Sequence, residues 1–172
     1  MKKNPTFFKK FFSVIKTAVL MVVVFYAVTT FQQRNLLSTD KTPAPYFNLA
    51  TLEDPNQRVS IAQLQGKQTV VYFFAPWCSI CRYSMPNLET AHQQGKLNAI
   101  AIALDYQNID EIKQFTDSLQ LTMPVLLGSR NTGKDYKVSA YPTYYVIDEQ
   151  LTITARSMGY STELGLRLRT LE

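Results

Sequence analysis

Four short apolar runs, Thr69–Phe74, Ala99–Leu104, Pro124–Leu127 and Thr143–Ile147, do most to limit what this chain can fold into. Each is rich in β-branched or aromatic residues and bounded by turn formers, the pattern of buried strands. Between them lie helical segments. Ser79–Gln94 ends at Gly95, and Asp110–Leu119 sets Ile112, Phe115 and Leu119 on one face. Thr162–Leu171 does the same with Leu164, Leu168 and Leu171, although Gly165 weakens it. Leu151–Arg156 alternates and suits an antiparallel outer strand. Strands and helices in alternation predict an α/β fold, with a central mixed sheet and helices on both faces.

The first strand leads into Ala75-Pro-Trp-Cys78-Ser-Ile-Cys81, which holds the only two cysteines of the chain. Where a helix starts, an i, i+3 spacing brings two Cα atoms within the roughly 4.4–6.8 Å that a disulfide accepts, so the pair can close and open without refolding. Cys78 falls at the helix N-terminus, where free N–H groups and the macrodipole favour a thiolate, and Arg82 adds positive potential. Cys81, a turn deeper, is expected to be more buried. Cys78 is therefore the candidate attacking thiolate and Cys81 the resolving thiol. A fixed staple is the poorer reading, because so small a loop stabilises little. A metal site lacks ligands: His92 is the one histidine, eleven residues past Cys81 on the same helix and expected at the surface. No metal is expected.

The N-terminus is of another kind. Lys2, Lys3, Lys9, Lys10 and Lys16 precede the uncharged run Thr17–Phe31, with no acid among them. The other 13 basic residues balance the 13 acidic ones, so the formal charge of +5 belongs to this segment and does not point to nucleic acid. Residues 1–31 are expected to be a cytoplasmic basic tail and an uncleaved transmembrane helix, the alternative being a signal sequence cleaved near Ala27-Val-Thr29. Residues 32–44 are expected to be a linker and 45–172 the folded domain, outside the cytoplasm because the lysines stay inside. There, disulfides persist unless a partner reduces them.

Phe-Phe-Ala-Pro-Trp-Cys78-Ser-Ile-Cys81, Pro86 five residues on, and the later Tyr141-Pro-Thr143 resemble the thioredoxin superfamily in order and spacing. The tethered, exported branch that includes TlpA, ResA, cytochrome c maturation thioredoxins and suppressor-of-copper-sensitivity thioredoxin-like proteins is the most similar. Its extra helix and strand would be Asp110–Leu119 and Pro124–Leu127. The resemblance covers about residues 43–170. It implies a thioredoxin-like fold in which Pro86 kinks the active-site helix and Pro142 is a cis-proline facing the dithiol. Trp77, Tyr141 and Thr143 are then expected to bind substrate.

The implied activity is that of a membrane-tethered thiol:disulfide oxidoreductase needing no cofactor beyond the Cys78–Cys81 pair. Its partners would be exported proteins with thiols or disulfides and a transmembrane electron donor, and it would serve more as reductant than oxidant. A copper-handling module on the same fold is the alternative. A peroxidase would place its cysteine in a Thr-x-x-Cys context, which Ala75-Pro-Trp-Cys78 does not supply. Two departures from the pattern matter. Ser84 stands where ResA-like chains have a glutamate, and Tyr72 where thioredoxin has a buried aspartate. Neither residue supplies a carboxylate to take the proton of the resolving thiol.

Overall fold

The structure, a computed structural model, describes residues 5–170. In chain order the elements are α1 (Pro5–Gln33), β1 (Thr42–Pro43), β2 (Asn48–Ala50), β3 (Arg58–Ser60), a 3-10 turn at Ile61–Leu64, β4 (Thr69–Phe74) and α2 (Ser79–Gln93). There follow β5 (Asn98–Ala103), α3 (Ile109–Ser118), β6 (Val125–Leu127), α4 (Arg130–Asp135), β7 (Thr143–Ile147), β8 (Thr152–Met158) and α5 (Glu163–Arg169).

Residues up to Asn35 form one unit and those from Leu36 another. The first contains α1, on which Val19–Phe25 are exposed. The expected apolar run is thus helical, but among the described residues no helix is long and apolar enough to cross a membrane. Lys2, Lys3 and Leu171 lie outside the described residues.

The second unit is built on β4, whose six residues are all buried. β-Branched and aromatic side chains fill both of its faces, which is what a central strand requires. β4 pairs in parallel with β5 and antiparallel with β7. The six-stranded order is β1-β8-β7-β4-β5-β6, with β5 and β6 parallel and β8 antiparallel to both β7 and β1. β2 and β3 make a separate hairpin.

Successive residues of a strand point to opposite faces. Val70, Tyr72 and Phe74 meet Met85 and Leu88 of α2, Ile112 and Phe115 of α3 and Leu166 of α5. Val71 and Phe73 meet Ile61, Leu64, Leu49 and Tyr136 on the other side. The mixed sheet therefore carries helical structure on both faces, with the helix–strand insertion α3–β6 in place.

Three details differ from expectation. The segment read as a linker contributes Leu36 and Leu37 to the core, and Thr42 pairs with Ile153 at the sheet edge. On α5 the buried residue is Leu166, while Leu164 and Leu168 are exposed. The helix runs Glu163–Arg169 after the Thr162 cap, and the face it buries is the one that holds Leu166. Finally, α4 follows β6 unannounced, reached through Gly128. A Cβ there would come within 2.6 Å of the Ile102 side chain and 2.8 Å of the Ala103 carbonyl, so only glycine fits.

Candidate active site

β4 ends at Phe74 and the chain leaves the sheet edge through Ala75, Pro76 and Trp77 before α2 begins. Cys78 is the N-cap of α2: its backbone is extended and its Sγ accepts the Cys81 backbone N–H at 3.0 Å. A sulfur so placed takes up one of the N–H groups that a helix start leaves unpaired. Cys78 and Cys81 are joined as a disulfide with Cα atoms 5.3 Å apart, inside the expected window. Cys78 is 6% exposed and Cys81 fully buried, in the expected order.

Arg82 does not turn toward the sulfurs. Its guanidinium lies 5.0 Å over the Phe115 ring and donates to Ser118 Oγ at 2.7 Å, which ties α2 to α3. Pro86 lies inside α2. Around Cys78 a rim of apolar groups stays exposed: Trp77 at 66%, with Ile80 and Tyr83 beside it in the sequence.

The Tyr141–Pro142 peptide bond is cis. The Tyr141 ring meets Trp77 edge to face at 5.7 Å, so the chain before Pro142 and the turn before Cys78 stand together. Pro142 O accepts from Gly159 N at 2.8 Å. Thr143 is fully buried, its hydroxyl donates to Ala140 O, and it is in register with Phe73 on one side and Met158 on the other, so, contrary to expectation, its side chain is not presented to a partner. His92 is half-buried and its Nδ1 has no hydrogen-bond partner, rather than facing water as expected. Among the described residues no group of three or more His, Cys, Asp or Glu could hold a metal ion.

The two departures from the superfamily pattern share one environment. Tyr72 and Tyr144 face each other across β4 and β7, their rings stacked at 6.2 Å. Ser84 Oγ accepts from Ser161 N at 3.1 Å, Ser161 Oγ donates to the Tyr144 hydroxyl at 3.3 Å, and Arg169 Nη1 donates to the same hydroxyl at 3.1 Å. The Tyr72 hydroxyl is buried and forms no hydrogen bond of good geometry, although Ser84 is its polar neighbour. Burial, reinforced by Tyr144 and only partly offset by Ser84, pushes Tyr72 far above the ordinary tyrosine range. It is a neutral hydroxyl that can donate, not a base.

Further along α2, Glu89 is buried and accepts from the Thr122 hydroxyl, Thr122 N at 2.9 Å, Met123 N at 3.2 Å and Gln93 Nε2 at 2.8 Å. Burial works to raise its pKa, but these hydrogen bonds prevail and hold it below the ordinary carboxylate value. Sequence reasoning passed over Glu89 and also Asp105, which follows β5 and touches both Trp77 and Tyr141. A lone acid just past the end of a buried strand is the one signal that pointed to Asp105.

Residues 41–156 match the AhpC/TSA family. The chain belongs to this thioredoxin-like family. It is 28% identical over 138 residues to the thioredoxin-like protein YneN of Bacillus subtilis, covering 78% of this chain and 80% of that one. It is 29% identical over 152 residues to the thiol-disulfide oxidoreductase ResA of Oceanobacillus iheyensis, covering 85% and 77%. Among solved structures, StoA from Bacillus subtilis shares the fold with a TM-score of 0.64 at 23% identity, over 74% of this chain and 97% of that one. With a closed dithiol at the helix start and relatives of this kind, the protein is a thiol:disulfide oxidoreductase.

Proposed function

We propose that the protein reduces disulfides of exported proteins from a membrane tether, with Cys78 attacking and Cys81 resolving. The observation that carries the division of labour is the cap on α2. Cys78 Sγ takes the Cys81 N–H at 3.0 Å and is the more exposed of the two sulfurs, so an incoming disulfide meets it first and a thiolate there gains from the helix start.

In the reduced form the Cys78 thiolate attacks one sulfur of a substrate disulfide. A mixed disulfide forms, and the other substrate sulfur leaves as a thiolate. Cys81, losing its proton, then attacks Cys78 Sγ and frees the second substrate thiol. Two electrons pass to the substrate and the Cys78–Cys81 disulfide remains, to be reduced again by a dithiol donor. An electron carrier in the membrane is the proposed donor, and the pair itself is the only redox centre required. Pro142 lacks an N–H and its carbonyl is engaged by Gly159, so the backbone of Tyr141 is the proposed pairing edge for an extended substrate segment. Trp77 and Tyr141 would flank that segment. The tether is proposed from the lysines of residues 1–16 and the uncharged run to Phe31.

The test is a trap. With Cys81→Ala, mixed disulfides between Cys78 and exported proteins should accumulate, and Cys78→Ala should abolish them; a variant that traps no protein would sink the proposal. Equilibration against glutathione gives the direction. A potential close to the roughly −120 mV of a strong oxidant would reverse the assignment as a reductant.

A further inference from the structure

We infer that Asp105 is a positioning residue that locks Trp77 and Tyr141 into one recognition wall beside Cys78. The inference rests on the proposed attack by Cys78 and goes beyond it, since it concerns how substrates are selected.

Asp105 follows β5, which lies parallel to β4, so it stands at the sheet edge from which the Cys78 turn departs. Leu104 N donates to Phe74 O at 2.8 Å and holds the two strand ends in register up to that point. The backbone of Asp105 is left-handed, with φ +49°, a conformation that aspartate and asparagine tolerate better than other side-chain-bearing residues. Its carbonyl accepts the Trp77 indole N–H at 3.0 Å. Its Oδ2 accepts the Tyr141 hydroxyl at 2.9 Å. Backbone and side chain of one residue thus hold two aromatic rings that meet edge to face at 5.7 Å and 83°.

Without this clamp little would hold Trp77, which is 66% exposed. An exposed indole samples several rotamers on a fast timescale, and a substrate segment docking beside Cys78 would have to order it. With the clamp that ordering is done in advance. Asp105 also lines two cavities. One, of about 500 Å³, runs past Trp77, Arg82 and Glu111. The other, of about 130 Å³, runs past Tyr141, Arg130 and Lys134. Of the two rings, Trp77 borders only the first and Tyr141 only the second, so a segment docking against the wall meets different side chains past each ring. A small disulfide, which reaches Cys78 without touching the wall, should not feel it.

Trp77 is the only tryptophan of the chain, so its emission reports the wall directly. The experiment compares wild type with Asp105→Ala, Asp105→Asn and Tyr141→Phe, reading Trp77 fluorescence anisotropy and the steady-state reduction of insulin and of oxidised glutathione with dithiothreitol as the electron donor. Asp105→Ala keeps the carbonyl that accepts the indole N–H but frees the Tyr141 ring against which Trp77 packs, so it should lower the anisotropy and raise KM for insulin about tenfold, as loss of a charge-assisted hydrogen bond would. Its kcat for insulin and its rate with oxidised glutathione should stay at wild-type values. Asp105→Asn keeps an acceptor oxygen and tolerates the same backbone, so it should restore both readouts to near wild type. Should Asp105→Ala fold poorly, Tyr141→Phe breaks the same hydrogen bond without touching the left-handed backbone, and it should lower the anisotropy and raise KM for insulin.

Anisotropy and KM at wild-type values in both Asp105→Ala and Tyr141→Phe would overturn the inference. So would an Asp105→Ala loss of the same size on insulin and on glutathione, since that would place Asp105 in the chemistry. A wild-type protein that exchanges with neither probe would instead overturn the proposed function, and the anisotropy would still decide whether Asp105 holds the wall.

Discussion

Tyr144 and Tyr145 are adjacent on β7, fully buried, and opposite in setting. Tyr145 faces the side of the sheet away from the dithiol, where its hydroxyl donates to Tyr136 O at 2.7 Å and accepts from Leu37 N at 3.3 Å. The Tyr136 hydroxyl in turn donates to Pro45 O at 2.7 Å, and Arg156 reaches Leu36 O at 2.9 Å. The hydroxyls of Tyr136 and Tyr145 each make a bond to backbone of the segment 36–45. Tyr144 faces the dithiol side, stacked on a Tyr72 whose hydroxyl has no partner. One face uses tyrosines to lock the start of the domain; the other leaves a polar group unsatisfied in the layer that holds Cys78 and Cys81.

The largest effect is expected on the far face. Tyr145→Phe leaves Tyr136 O without this donor and Leu37 N without this acceptor, both buried, at roughly 1–3 kcal/mol each. A loss of about 3 kcal/mol in urea unfolding, with the slope unchanged, is expected. A loss under about 1 kcal/mol would break the contrast between the faces.

Glu89 sharpens the comparison, because it lies on the dithiol side and is fully satisfied. It sits two turns beyond Cys81 on α2 and binds the loop that leads into β6. The contrast is therefore one of distance from the sulfurs as much as of face. Glu89→Gln should cost about 2 kcal/mol at neutral pH, the worth of hydrogen bonds to a charged acceptor. The pH sign follows from its lowered pKa. The contribution is complete above the ordinary value of 4.5 and is lost as pH falls through the lower, folded one. Stability of the wild type should fall on that limb more steeply than that of Glu89→Gln, and equal slopes would remove Glu89 from the account.

These contrasts show what was readable in the sequence. The apolar runs announced β4 to β7 because strands buried on both faces need continuous apolar side chains. The Cys78–Cys81 spacing was legible because its chemistry is local, and the cis bond before Pro142 because the order of motifs resembles the thioredoxin superfamily. Leu36 and Leu37 were not, since two leucines in a polar stretch become core only once Tyr145 and Arg156 reach them across more than a hundred positions. The six-residue α4 is too short to show a period, and its Ser129–Thr132 cap lacks the Glu or Gln that marks a capping box in sequence. Asp105 carries no motif at all. Its partners lie 28 and 36 residues away, and the fold alone brings them together.

The smallest effect is expected at Tyr72, and its sign is informative. Tyr72→Phe removes a buried hydroxyl that has no partner, so nothing is orphaned and stability at pH 7 should change by less than about 0.5 kcal/mol. The difference emerges in alkali. Because burial raises the pKa of Tyr72, both folded and unfolded states hold its proton below about pH 10 and its ionisation contributes no slope there. Above that value the unfolded chain releases the proton while the folded one keeps it, and the stability of the wild type declines. Tyr72→Phe lacks this decline, so urea unfolding at pH 10.5 and above should find the variant the more stable protein. Burial raises the pKa of the Tyr145 hydroxyl too, so Tyr145→Phe should recover part of its deficit in alkali, but at pH 7 it stays the less stable variant because two buried backbone groups have lost a partner. A Tyr72→Phe variant destabilised at pH 7 as much as Tyr145→Phe would mean that the near-face hydroxyl is bonded after all, and the two faces would then be built alike.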